Sequence, residues 1–190
     1  NKRLESIMTN RIYLNNMISQ SKTTILTTLN FHIVMFDKKN YDELRSCPEV
    51  SENGIYILYN HNKYYIGQNS SSKGLISRLD NHYKNKDWWT KGLFFAPKNG
   101  VFISKFTKAH YDYLERILIK RFKQNNLNLD NKNSGNTSPI SEPDKQACEL
   151  FLSNVIITLE NIFNIKLFSL NYVTYLEDIV NKLLDNTFDE

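Results

Sequence analysis

Glycine and proline are scarce in this chain, six and four among 190 residues, and cysteine occurs only twice. The first shortage excludes collagenous and low-complexity classes, and the 41% of hydrophobic residues argues against intrinsic disorder. Cys47 and Cys148 lie far apart and neither has a CxxC partner, so no disulfide framework or thiolate zinc site is suggested. Both read as reduced fillers. No uncharged apolar run approaches the roughly 20 residues of a membrane span, and the opening NKRLESIMTN has no signal-peptide core. The expectation is a soluble, cytoplasmic protein with no membrane partner. The length suits one domain, or one domain with an appendage. Lysine outnumbers arginine 18 to 6 and asparagine occurs 25 times, a skew to which no function attaches.

Positive charge and aromatic rings are abundant, and they are concentrated. Residues 1–50 hold seven basic and five acidic side chains, residues 51–125 thirteen and five, and residues 126–190 four and ten. The basic centre also carries Tyr64, Tyr65, Tyr83, Trp88, Trp89, Tyr111 and Tyr113. Lysines that release counterions, interleaved with rings that stack on bases, are what a phosphate-backbone binder needs. A solvated lysine face over an ordinary core has the same composition, because charge bears on partners and not on fold.

Periodicity supplies the elements. FHIVMFD (31–37) alternates as a strand does, and YDELRSC after it reads as a short helix. GIYILYN (54–60) and KYYIGQ (63–68) flank His61 and Asn62 as a hairpin. Ser72 is expected to cap a helix from Gly74 to about Asn85 bearing Leu75, Leu79 and Tyr83. GLFFAP (92–97) reads as a third strand. The longest helix is expected from Ser104 to about Lys123, with Phe106, Tyr113, Leu114, Ile117, Leu118 and Phe122 as its apolar stripe. Residues 125–143 read as an irregular loop. Two amphipathic helices are expected after it. One opens at Ser141–Asp144 and carries Leu150, Val155, Leu159 and Ile162; the other opens at Thr174–Glu177 and carries Leu176, Ile179, Val180, Leu183 and Leu184.

Gly54-Ile55-Tyr56 and Tyr65-Ile66-Gly67 fall on the two runs of the hairpin. Arg78 follows, His82 lies one helical turn beyond it, and Glu115 stands on the longest helix. In order, spacing and element type the chain resembles the GIY-YIG nuclease superfamily over about residues 50 to 135. That superfamily includes the bacterial excision-repair nuclease subunit, intron homing endonucleases and several restriction enzymes. A bacterial and phage branch with the patterns K-x-W, K-A-H-x-x-Y-L-E, L-E-N-x-N and S-E-x-D extends the likeness to about residue 152. Here these read Lys86-Asp87-Trp88, Lys108-Ala109-His110 with Tyr113-Leu114-Glu115, Leu129-Asp130-Asn131-Lys132-Asn133, and Ser141-Glu142-Pro143-Asp144.

The resemblance implies an α/β domain with a small twisted, mainly antiparallel sheet flanked by helices. Residues 1–50 would be an N-terminal extension of one strand and a short helix, 51–135 the nuclease-like domain, and 136–190 a loop and C-terminal helical appendage. The implied activity is metal-dependent phosphodiester hydrolysis of nucleic acid, DNA in the first instance; the alternative is a non-catalytic nucleic-acid-binding module on the same fold. A third reading makes the acidic C-terminal helices a protein-interaction module, and they are also the expected surface for a homodimer.

Hydrolysis needs an activated water, neutralised phosphoryl charge and help for the leaving oxygen. On the resemblance, Glu115 is the sole protein ligand of Mg²⁺ or Mn²⁺, ions that keep most of their waters. Tyr56 is the general base, and Tyr65 orients water or contacts phosphate. A free tyrosine titrates near 10, so that base needs neighbouring cations. Tyr64 is expected on the opposite face from Tyr65. Arg78 offers a planar fork to the phosphate, and His82, four residues on, shares its helical face and is a candidate for a supporting acid, base or phosphate-binding role. Among Asn128, Asn131 and Asn133, Asn131 is preferred as the asparagine that packs against the site. Lys84, Lys86, Lys105 and Lys108 are candidates for the backbone path, whereas His110, His32 and His61 have no catalytic reading. Gln68 stands where many relatives have a lysine, so phenolate formation would lean on Arg78, the metal or Lys63.

Overall fold

The computed structural model describes residues 16–20 and 23–167, the first five by their backbone alone. Six strands form one antiparallel sheet: β1 (Asn16–Gln20), β2 (Thr23–Thr27), β3 (Phe31–Asp37), β4 (Gly54–Tyr59), β5 (Tyr64–Asn69) and β6 (Lys91–Pro97). Their order is β1-β2-β3-β6-β4-β5. Four α-helices accompany it among the described residues: α1 (Tyr41–Leu44), α2 (Gly74–Asn85), α3 (Lys108–Gln124) and α4 (Glu142–Phe163). The molecule is an α/β open sheet with helices. The second expected C-terminal helix, from residue 174, lies outside the described residues.

Alternation along the strands builds two cores. Ile33, Ile55, Ile57, Ile66, Leu93 and Phe95 face α3 and α4, where they meet Leu114, Leu118, Phe122, Phe151, Val155 and Leu159. Val34, Phe36, Tyr56, Leu58, Phe94 and Ala96 face the other way and meet Tyr41 and Leu44 of α1, Leu75 and Leu79 of α2, and Trp89. At about 1.5–3 kcal/mol for each large side chain fully buried, the two layers together hold the sheet between its helices.

Several expectations shift in position. The N-terminal stretch contributes three strands, not one, and β3 pairs along its whole length with β6, so this segment extends the sheet on the β6 side. α3 begins at Lys108, not Ser104. Thr107 precedes it, with the Thr107 backbone N–H donating to His110 Nδ1 at 2.8 Å, which keeps His110 in a structural role; Phe106 is buried just ahead of the helix. Ser72 does not cap α2. Instead Gly74, at φ +67°, donates its N–H to the Ser71 carbonyl at 3.2 Å, a turn that only glycine makes without strain.

α4 opens where Ser141 and Pro143 suggest, with the Asp144 N–H donating to Ser141 Oγ at 3.2 Å. Its buried stripe differs from the expected one. Leu150 and Ile162 are 45% and 42% exposed, while Cys148, Phe151, Leu152, Val155, Ile156 and Leu159 are buried. The helix read as an appendage therefore packs into the same core as Ile55 and Phe95.

Candidate active site

The two tripeptides lie side by side, with Tyr56 directly opposite Gly67. A Cβ on Gly67 would stand 2.4 Å from both Cζ and Oη of Tyr56, so the bare glycine is what lets that ring lie across β5. Gly54 is equally constrained, because a Cβ there would meet the Phe95 carbonyl oxygen at 2.2 Å. Tyr56 is only 2% exposed, and its hydroxyl lies 2.8 Å from Nε2 of His82 on α2. Burial, with Tyr65 adding to it, pushes the Tyr56 phenol well above its ordinary pKa, and only Arg78 pulls the other way among the cations around it. His82 shifts down to about 4 through burial and the nearby Lys86 and Arg78 charges. The pair is therefore a neutral phenol against a neutral imidazole at physiological pH.

Tyr65 points to the same side, as alternation requires, with its ring centroid 4.6 Å from the His82 ring and 6.3 Å from that of Tyr56. Tyr64 goes to the opposite face and packs edge-on against Phe122 of α3 at 5.3 Å. β5 is an edge strand of the sheet, and the loop after α3 closes it. The Tyr64 N–H donates to the Asn128 carbonyl at 2.8 Å, and the Asp130 N–H donates to the Tyr64 carbonyl at 2.7 Å. The Asn131 side chain then completes the ladder, accepting from Ile66 N–H at 2.9 Å and donating to the Ile66 carbonyl at 2.7 Å. Of the three candidate asparagines, Asn131 is the one whose side chain bonds to the backbone of that strand, whereas Asn128 meets it through its carbonyl.

Arg78 sits on α2 one turn before His82, exposed. Glu115 stands on α3, against the other face of the sheet, yet its charge raises both tyrosines while that of Arg78 lowers them. These four groups share one electrostatic neighbourhood. Half-buried Glu115 is raised to about 7, by burial first and then by Asp112, with Arg78 and Lys108 opposing.

Asp112 was not legible as a site residue, although it lies one turn before Glu115. Its fully buried carboxylate pairs with Lys108 at 2.5 Å and accepts from Gln68 Nε2 at 3.0 Å, Asn136 Nδ2 at 3.4 Å and Ser138 Oγ at 2.7 Å. Burial works against its ionisation, but the bonds from Lys108, Ser138 and Asn136 outweigh burial and hold it below the usual range. Gln68 thus turns away from the tyrosines and supports α3, and Lys108 is held beside that acid. Lys84 and Lys105 are exposed. Lys86 is half-buried and belongs to the tyrosine cluster, with Nζ 4.6 Å from the Tyr65 ring centroid.

A groove of about 740 Å³ lies beyond Lys86, lined by Lys38, Lys39, Lys91, Tyr83 and Trp89 together with Asp37 and Asp87. Lys38 connects the two places: its Nζ donates to the Lys86 carbonyl at 2.7 Å and lies 4.8 Å from the Trp89 ring. Among the described residues no three His, Cys, Asp or Glu side chains converge on one point. The residues present suit instead an ion held by one carboxylate, since Glu115 is desolvated, lies within electrostatic reach of Arg78, Tyr56 and Tyr65, and bears no hydrogen bond or ion pair to a described residue. No family model matches the chain, and neither does any curated protein or any solved structure.

Proposed function

We propose that the chain is a metal-dependent endonuclease of GIY-YIG type that hydrolyses phosphodiester bonds in DNA. The observation that carries the reading is the 2.8 Å contact between Tyr56 and His82 over Gly67, with Arg78 and Glu115 acting electrostatically on the same tyrosine. Burial disfavours a standing phenolate at Tyr56. A relay avoids it: the attacking water gives a proton to the Tyr56 oxygen while the phenol's own proton passes to His82 Nε2. The imidazole, held low partly by Lys86 and Arg78, becomes a better acceptor once a phosphate anion sits against those cations.

Arg78 faces the phosphoryl oxygens with a fork of donors, a contact that strengthens as negative charge builds there. Tyr65 holds the water or a phosphate oxygen. Glu115 would hold Mg²⁺ or Mn²⁺, and a bound ion supplies charge neutralisation at the phosphoryl and leaving 3′ oxygens. The lysine groove beyond Lys86 supports a nucleic-acid substrate, because Lys39 and Lys91 suit a phosphate backbone and the exposed Tyr83 ring on its wall can stack on a base.

The test is plasmid nicking in Mg²⁺, Mn²⁺ and EDTA. Wild type is expected to nick supercoiled DNA only with metal, and Tyr56→Phe, Arg78→Ala and Glu115→Ala to lose about 10²–10³-fold in rate. Equal cutting by these variants overturns the mechanism. Retention of DNA by wild type with no turnover in either metal favours the non-catalytic binding module.

A further inference from the structure

Next to the tyrosines two lysines share one carboxylate. Lys63 Nζ lies 2.7 Å from Asp130 Oδ1, and Lys86 pairs with Oδ2 of the same acid. The ammonium groups are held over rings, Lys63 at 5.0 Å from that of Trp88 and Lys86 at 4.6 Å from that of Tyr65. The three charged side chains come from separate stretches: the β4–β5 turn, the segment after α2 and the loop after α3. Asp130 is not a loose surface acid, since its own N–H bonds to Tyr64 and its neighbour Asn131 is bonded twice to Ile66. The fold delivers this carboxylate to the lysines. Lys63, Lys86 and Asp130 keep 33%, 21% and 21% of their side-chain surface, so solvent and solutes reach the cluster.

A carboxylate gripped through both oxygens by two cations has the charge and the oxygen spacing of the phosphodiester anion that such cations bind in nucleic acids. We propose that Lys63 and Lys86 form a subsite for a DNA backbone phosphate flanking the scissile one, and that Asp130 fills it in the free protein as a phosphate mimic which the substrate displaces. The inference rests on the nucleic-acid reading above and deepens it. Displacement is easy, because partly exposed ion pairs are individually weak and a polyanion brings several phosphates at once. The ring contacts hold both cations within reach of the Tyr65 side of the site while the exchange takes place. An isolated phosphate or an acidic peptide cannot release as many counterions, so the mimic also favours long polyanions over small ones.

The measurement is fluorescence anisotropy with a short labelled DNA duplex in EDTA, where nothing is cut, between ~50 and ~200 mM salt. Asp130→Asn is expected to bind about five- to tenfold more tightly at the low end, with a log K against log salt slope steeper by at most about one, as one competing charge at a one-phosphate subsite implies. Adding Lys63→Gln and Lys86→Gln is expected to erase that gain. In the wild-type background those two changes, which leave Asp130 in place, are expected to weaken binding about fivefold. The proposal is overturned by an Asp130→Asn protein that folds and binds no more tightly, by a gain that survives loss of both lysines, or by lysine variants that bind like wild type. Duplex ignored by every variant at low salt overturns the functional reading as well. A gain at Asp130→Asn in a protein that never nicks plasmid strikes the nuclease reading alone.

Discussion

The two faces of the one sheet are built on opposite rules. Toward α3 and α4 the strands offer Ile55, Ile57, Leu93 and Phe95 to a close-packed aromatic cluster in which Phe31, Phe102 and Phe106 ring Phe151 at 5.5–5.9 Å. Toward α2 the same strands bury the hydroxyl of Tyr56 against an imidazole and leave Tyr65 partly open beneath Lys86. The first face is stabilised mainly by apolar area, with the bonded Asp112 and the desolvated Glu115 of α3 as its polar exceptions. The second holds polar groups whose ionisation burial opposes, and that cost is tolerated where chemistry is to be done. Asp112 and Glu115 show the contrast within one helix, the former fully bonded and ionised, the latter desolvated and without a hydrogen-bond donor among the described residues.

Removing the anchor of the first face has the largest expected effect. Phe151→Ala should destabilise by about 3–5 kcal/mol, read from the midpoint of denaturant unfolding, while nicking per folded molecule stays at wild type. If nicking falls in step with a change this far from the tyrosines, the division of labour is wrong. Gly67→Ala joins the faces: the new methyl collides with Tyr56, so about 1–3 kcal/mol of stability should go together with the Tyr56–His82 contact and nearly all turnover. A fully active Gly67→Ala protein would show that the ring does not need its place over β5.

The smallest effect is a gain. Glu115 titrates near 7 in the folded chain against 4.5 unfolded, so between those values the native state binds more protons. Stability from this group is therefore full below about pH 4.5 and is lost as pH rises toward 7. Glu115→Gln should accordingly raise the melting temperature at pH 8 in EDTA, by the equivalent of about 1–3 kcal/mol, and leave it unchanged at pH 4.5. His82, lowered to about 4, runs in the opposite sense: its contribution is present above pH 6.5 and is lost as pH falls toward 4. A Glu115→Gln protein no more stable than wild type at pH 8 would mean that the carboxyl is better solvated than its burial implies.

Legibility followed the range of the interactions. The hairpin, the third strand and the spacing of Arg78 and His82 are set by neighbours within a few residues, and each stands where periodicity puts it. The stripe of α4 was misread because apolar residues surround that helix almost evenly. Leu150 and Ile162 then look as inward as Phe151 until the partner surface decides between them. The Ser72 cap failed because a backbone carbonyl, which no composition reveals, does the work through Gly74. β1 and β2 passed unnoticed, as the short NMISQ and the Thr-rich TTILT carry too little contrast between apolar and polar positions to stand out.

The site divides in the same way. Tyr56, Tyr65, Arg78, His82 and Glu115 were nameable in order along the chain, and Asn131 could be preferred within its loop. That Tyr56 reaches His82, that Gln68 turns to Asp112, and that Lys63 and Lys86 meet on Asp130 depend on residues 26, 44 and up to 67 positions apart. Side-chain alternation and helical spacing follow from local backbone geometry, so the sequence by itself determined the elements and which residues each presents. The juxtaposition of charges follows from how the sheet edge, α2 and α3 close around one another, a cooperative result of burying both apolar faces at once, and only the tertiary structure decided it.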